Sequence, residues 1–321
     1  MKYVDMHCDT ITNLYRENGA LRKNDLHIDI EKMEIGECLL QNFAVFTYLP
    51  KQDSAFTWAV IDYYYRQLEA NKDKIRAVYT YDDIEKNEKE GLMSGLLTLK
   101  EGAVINGDLK NLVRYYDAGV RMIALTWNFE NGIGYPNFTP SKDSNEDILR
   151  KIDKEHGLTD FGIEYVRKME ELGMIVDVSH LSDKGFYDVL KYTTKPFVAS
   201  HSNARAVCSV ARNLDDEMIK LLAQRGGVMG LNYCSAFIEE NDEGYTPIEG
   251  MVKHIRHIAD VGGIGCIGLG SDFDGIESRL EIKDASGLPK LYEALKKYFS
   301  EEEIEKIFYK NVLRVYKEVL K

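Results

Sequence analysis

Short apolar runs recur along the chain, separated by longer stretches whose apolar positions repeat at helical spacing. Eight of the runs read as strands: residues 3–9, 40–49, 95–101, 120–127, 174–180, 196–201, 227–233 and 265–272. Helical pattern fills the gaps. Residues 55–74 are amphipathic, and residues 159–172 place Phe161, Tyr165, Met169 and Leu172 along one face. Ser182 is positioned to cap a helix running through Phe186 and Leu190. Residues 215–223 carry Met218, Leu221 and Leu222, residues 249–261 precede the last strand, and residues 300–320 follow it. Ser300 with Glu303 makes a capping box, each side chain satisfying a backbone N–H near the other. Apolar strands alternating with helices imply a parallel sheet covered on both faces. Eight such units favour an α/β fold of the (β/α)8 TIM-barrel type over an open, doubly wound sheet.

The length of 321 residues suits one such barrel. There are only 6 Pro and no Ser/Gly tract that resembles a linker, so residues 1–321 are expected to form a single domain. A net charge of −12 disfavours contact with phosphate backbones and anionic lipid, which argues against a nucleic-acid partner. Cys8, Cys38, Cys208, Cys234 and Cys266 are widely spaced and odd in number, with no CxxC pair. That argues against a disulfide framework or a thiolate zinc knot and fits a reducing cytoplasm. No leader-like apolar region precedes the first strand, and no uninterrupted apolar run reaches the ~18 residues of a membrane span.

Ionisable residues gather where the strands end. His7 and Asp9 end the first, Glu101 the third, His180 the fifth, His201 the sixth and Asp272 the eighth. In a (β/α)8 barrel these ends meet at one rim, where active sites form. His7-Cys8-Asp9 is an HxD motif, and residues i and i+2 of a strand project from one face, so both can point at one ion. A carboxylate at Glu101 can bridge two cations. His180 and His201 end successive strands at matching positions, and neutral imidazole suits zinc. Together these residues provide His7, Asp9 and Glu101 for one ion, and Glu101, His180 and His201 for a second, each with an open position. Taken singly, each also reads as an ordinary hydrogen-bonded rim residue or helix cap. His254 and His257 lie on a predicted helix without carboxylates at ligand spacing and read as exposed; His27 and His156 fall in polar connections.

These residues resemble the renal, or membrane, dipeptidases. The matching segments are Asp5-Met6-His7-Cys8-Asp9, Lys100-Glu101-Gly102, Asp177-Val178-Ser179-His180 and Ala199-Ser200-His201-Ser202. They continue in order through Val207-Cys208, Ala211-Arg212-Asn213 and the segment from Gly268 to Gly275. The resemblance implies a barrel with two bridged zinc ions, replaceable by Mn2+ or Co2+, that hydrolyses dipeptides. It implies His7, Asp9, Glu101, His180 and His201 as metal ligands, Asp272 handling protons and the substrate amine, and Arg212 binding the substrate carboxylate. It also implies tolerance of a C-terminal D-residue, and a homodimer. One segment departs from the family: where Leu-Thr-His is usual, this chain has Leu125-Thr126-Trp127-Asn128. The Trp127 indole or the Asn128 amide is then a candidate oxyanion donor, with Trp127 alternatively a pocket wall.

A hydroxide held between two zinc ions would attack the peptide carbonyl, with Asp272 taking the proton and passing it to the leaving amine. Anchors at both substrate termini would make the site a length gauge. Two other functions compete. One is a related barrel acting on a cyclic amide, lactone or phosphoester, which needs no carboxylate anchor. The other is a degenerate barrel that binds metal or a partner without catalysis. Two long connections, residues 129–160 and 234–250, are candidate lids or dimer contacts.

Overall fold

Strand β1, Tyr3–Cys8, is buried at every position, as expected of a parallel strand covered on both faces. The computed structural model, which describes residues 1–137, 148–240 and 244–321, builds the rest around it. The remaining strands are β2 (Cys38–Val45), β3 (Ile75–Ala77), β4 (Met93–Leu99), β5 (Val120–Ala124), β6 (Ile175–Asp177), β7 (Val198–Ala199), β8 (Val228–Leu231), β9 (Tyr245–Thr246), β10 (Ile267–Leu269) and β11 (Arg279–Leu280). All pairings between these strands are parallel, and the run β2-β1-β10-β8-β7-β6-β5-β4 closes when β2 pairs β4 from Leu40↔Ser94 to Val45↔Leu99. The result is a closed eight-stranded parallel barrel ringed by helices. Strand β3 lies outside the closure, beside the start of β4. Strands β9 and β11 form a small separate parallel pair.

The barrel has two apolar layers. Val4, Met6, Leu40, Leu96, Met122, Ile175, Val198 and Val228 fill its interior. Val312, Val315, Tyr316 and Val319, on the helix Asn311–Val319, pack onto this set and seal the end where the strands start. The Tyr316 hydroxyl fixes that lid by accepting from Asn42 Nδ2 at 2.6 Å. The alternate side chains, such as Phe43, Leu97, Ile123 and Val176, pack outward against the helices. Each fully buried aliphatic side chain contributes roughly 1.5–3 kcal/mol.

The caps read in the sequence are present. Ser182 accepts from the Gly185 N–H at 3.0 Å to start Asp183–Tyr192, and Ser300 and Glu303 form the reciprocal box. The strands stop earlier than expected: β6 ends at Asp177 and β7 at Ala199, so His180 and His201 stand on the rim beyond the ladders. His254 corrects an expectation. It is fully buried, accepting from the Ala204 N–H at 3.2 Å and donating from Nε2 to the Ile238 carbonyl at 3.0 Å. Of the long connections, residues 138–147 and 241–243 lie outside the described residues.

Candidate active site

Five of the six rim residues, His7, Asp9, His180, His201 and Asp272, converge. His7, Asp9 and Asp272 bring ligand atoms within 4.8 Å of one another, as do His7, Asp177 and His201. His7 Nε2 lies 3.7 Å from Asp9 Oδ2 and 3.6 Å from Asp272 Oδ1, and its ring stacks on His201 with centroids 3.9 Å apart. His180 Nε2 and His201 Nε2 face each other at 2.9 Å. His180 and Asp272 both hold left-handed backbone conformations, φ 73° and 59°. For residues with a side chain this costs about 1–3 kcal/mol each, which the surrounding contacts must offset.

Buried carboxylates brace the histidines from below. Asp177 accepts from the Ser179 and Ser200 N–H groups and from the Ser200 hydroxyl. Ser200 Oγ, its hydrogen spent on Asp177, accepts from His201 Nδ1 at 2.7 Å. Asn128 Oδ1 accepts from His180 Nδ1 at 2.7 Å. Asp5 plays the same part beneath β1, accepting from the His7 and Ser271 N–H groups. Burial, reinforced by the Arg212 and Lys100 cations, holds the His180 and His201 imidazoles well below their usual pKa. Both are therefore neutral near pH 7, each with its proton on Nδ1 and its Nε2 lone pair turned into the site.

A cavity of about 250 Å3 opens above this cluster, walled by Trp127, Asn128, His180, Arg212, Phe237 and Asp272 among others. Arg212 is buried, with Nη2 donating to the His201 carbonyl at 3.2 Å and Nε unpartnered. No carboxylate pairs with it among the described residues. Burial lowers its pKa to about 10, short of neutralising it. Asn232 Nδ2 donates to Asp272 Oδ2 at 3.0 Å. Gly275 approaches so closely that a Cβ there would lie on the Asp9 and Asp272 carboxylates.

Glu101 is set apart from these clusters. Its carboxylate accepts from the Ala103 N–H at 2.9 Å, Asn131 Nδ2 at 2.6 Å and the Trp127 N–H at 3.2 Å. It lines a neighbouring cavity of about 340 Å3 with Tyr48, Trp127 and Phe129. Burial without a cation beside it raises its pKa to about 7. Lys100, one residue earlier, stands in the cluster instead. Its ammonium contacts Asp9 Oδ2 and lies 2.9 Å from Asp272 Oδ1. Burial opposes its charge, but Asp272 and Asp9 outweigh it and hold the ammonium protonated. In the sequence Lys100, Asp5 and Asp177 stand only within motif segments with no role of their own, and nothing singles out Asn232 or Asn131. A lysine or asparagine just past a strand end carries no signal of its own; only its place on the shared rim marks it.

The donor set fits divalent metal. Both ring nitrogens of His7 and Oδ1 of Asp9 are buried with no hydrogen-bond partner. Two neutral imidazoles present converging lone pairs, a repulsive arrangement that a cation between or beside them relieves. Their Nδ1 hydrogen bonds are the kind that orient histidine ligands.

Over residues 1–321 the sequence matches the family profile described as membrane dipeptidase (peptidase family M19). The chain belongs to the membrane dipeptidase family. It is thus a hydrolase of the dipeptidase class, from a family of metallopeptidases. It is 30% identical over 307 residues to dipeptidase tcpJ of Claviceps purpurea (strain 20.1), covering 91% of this chain and 69% of that protein. Among solved structures, the metallopeptidase dipeptidase AC superposes with a TM-score of 0.89 at 26% identity, covering 100% of this chain and 99% of its own. A Rhodobacter sphaeroides metallopeptidase, solved with a phosphinate mimic of L-Ala-D-Ala, shares the fold with a TM-score of 0.88 at 24% identity, each chain covered to 99%. As a member of this family the chain carries no helix among the described residues long and apolar enough to cross a membrane.

Proposed function

We propose that this dipeptidase-family chain hydrolyses free dipeptides, including those with a C-terminal D-residue, using two divalent ions, zinc in the first instance. The observation that carries the reading is Arg212: a buried guanidinium with an unpartnered Nε and no acidic partner among the described residues, on the wall of the cavity that Asp272 and His180 also line. Such a group calls for an anion from outside, and a planar carboxylate matches its fork. A cavity of about 250 Å3 suits a small substrate.

In this mechanism His7 and Asp9 would hold one ion, and His180 and His201 the other. Glu101 is assigned to both on the family motif alone, and its carboxylate would have to leave the Ala103, Trp127 and Asn131 donors to serve there. When bound, the ions supply Lewis acidity towards the carbonyl and lower the pKa of water to about 7. Asp272, with Asn232 on its Oδ2 and the Lys100 ammonium on its Oδ1, is the carboxylate that would accept the attacking water's proton and return it to the leaving amine, the lysine giving up Oδ1 for that step. Asp272 also pairs with the substrate's free ammonium. Trp127 walls the cavity. Asn128 has committed its carbonyl oxygen to His180, which leaves its amide N–H2 as the oxyanion donor.

The test is a hydrolysis screen over dipeptides, tripeptides, N-acetyl dipeptides and lactones. Fast turnover confined to free dipeptides is expected. Preference for a lactone or cyclic amide would overturn the reading.

A further inference from the structure

We propose that Lys100 is a built-in counter-cation of the Asp9–Asp272 pair, which must withdraw before a divalent ion binds at Asp9, so that it sets the affinity of that site. This rests on the metallopeptidase reading above and concerns a residue that reading does not use.

The argument begins with the oxygens. The Lys100 ammonium contacts Asp9 Oδ2 and Asp272 Oδ1, the atoms that lie closest to His7 Nε2. The ligand atoms of His7, Asp9 and Asp272 share one small volume. An ion bound to an Asp9 oxygen would sit about 2.0–2.2 Å from it. That overlaps the space the ammonium fills, and two cations on one buried oxygen repel strongly where water cannot screen them. The two states therefore exclude each other at Oδ2, and an ion on the unpartnered Oδ1 would still meet the ammonium's charge across the same buried carboxylate.

The lysine is also placed to move. Its stem has four rotatable carbons, and among the described residues its head makes no hydrogen bond other than those to the two acids. Its ammonium lies 5.7 Å from the centroid of the Phe46 ring. The cavity it borders is also lined by Glu277, a second carboxylate. In the metal-free protein Lys100 neutralises two buried acids that would otherwise face each other uncompensated. On metal binding that task passes to the ion.

The experiment strips wild type, Lys100→Met, Lys100→Gln and Lys100→Arg with a chelator. Co2+ is then titrated back and followed by visible absorption, with Zn2+ competition as a second measure. Lys100→Met and Lys100→Gln are expected to tighten one of the two sites by roughly 10- to 100-fold, the scale on which groups touching metal ligands tune affinity. Lys100→Arg keeps the charge and is expected to stay weak. Thermal melts add a readout independent of activity. The rise in Tm on adding Zn2+ is expected to be larger in Lys100→Met than in wild type, because the metal-free variant has lost its counter-cation. Lys100→Gln carries the test should Lys100→Met not fold. Equal or weaker metal affinity in both neutral variants, or an equal rise in Tm, overturns the proposal while leaving the metallopeptidase reading intact. If wild type and variants alike bind no metal, both fall together.

Discussion

The Nε2 atoms of His180 and His201 face each other at 2.9 Å, while each ring has already spent its Nδ1 hydrogen, one on Asn128 and the other on Ser200. Neither nitrogen has a proton to offer the other. The pair turns two lone pairs towards each other, an arrangement a cation relieves, and Asn128 and Ser200 hold it there.

Metal content follows from this pair. Purified, metal-replete protein is expected to carry about two divalent ions per chain by elemental analysis. Asn128→Ala removes the acceptor that fixes the His180 tautomer and is expected to weaken that site by roughly 10- to 100-fold. One ion or none in the wild type would contradict the binuclear reading. Glu101→Gln separates two roles for that residue: a bridging carboxylate predicts loss at both sites, whereas a cap of the Gly102–Ile105 turn predicts two ions retained.

Asp272→Asn is expected to fold normally, with Asn232 still beside it, and to lose roughly 10²–10⁴-fold in kcat, the range for a missing general acid/base. Near-normal turnover on a dipeptide would remove Asp272 from the proton path.

His254 predicts a pH dependence of stability away from the site. Burial lowers its pKa to about 4 in the folded chain, against about 6.5 for a histidine in water. A depressed histidine takes up its proton in the unfolded chain first. Its contribution is therefore complete above about pH 6.5 and is lost as pH falls towards 4, amounting to about 3 kcal/mol. His254→Gln is expected to melt below wild type at pH 7.5, with the gap in Tm narrowing by pH 4.5. A gap that widens on acidification would contradict this.

Much of this was legible in the sequence, because a barrel turns strand-end positions into neighbours. The segments that carry His7 with Asp9, His180, His201 and Asp272 lie far apart in the chain and meet because each stands at or just past the end of a barrel strand. The same logic did not separate Lys100 from Glu101. They are adjacent at the end of β4, and which of two successive residues faces the site depends on a backbone turn past the ladder that periodicity does not encode. His254 was misread for a different reason. Its helix has a buried face through Met251, Ile255 and Ile258, and His254 sits within that face, but a polar side chain there gives the same pattern as an exposed one. Strand β3 has only three residues, too few for any alternation to register.

The central claim is that Arg212 reads a free carboxylate, and a cycle of two proteins against two substrates tests it most directly. Wild type and Arg212→Met are assayed on a free dipeptide and on the same dipeptide amidated at its C-terminus. In the wild type, amidation leaves the buried guanidinium unpaired and is expected to lower kcat/KM roughly 30- to 1000-fold, the cost of losing a charge-assisted pair in a desolvated cleft. Arg212→Met should show the same loss on the free dipeptide and little further loss on the amide. If the two losses instead multiply, Arg212 does not contact the carboxylate, and the site does not gauge dipeptide length.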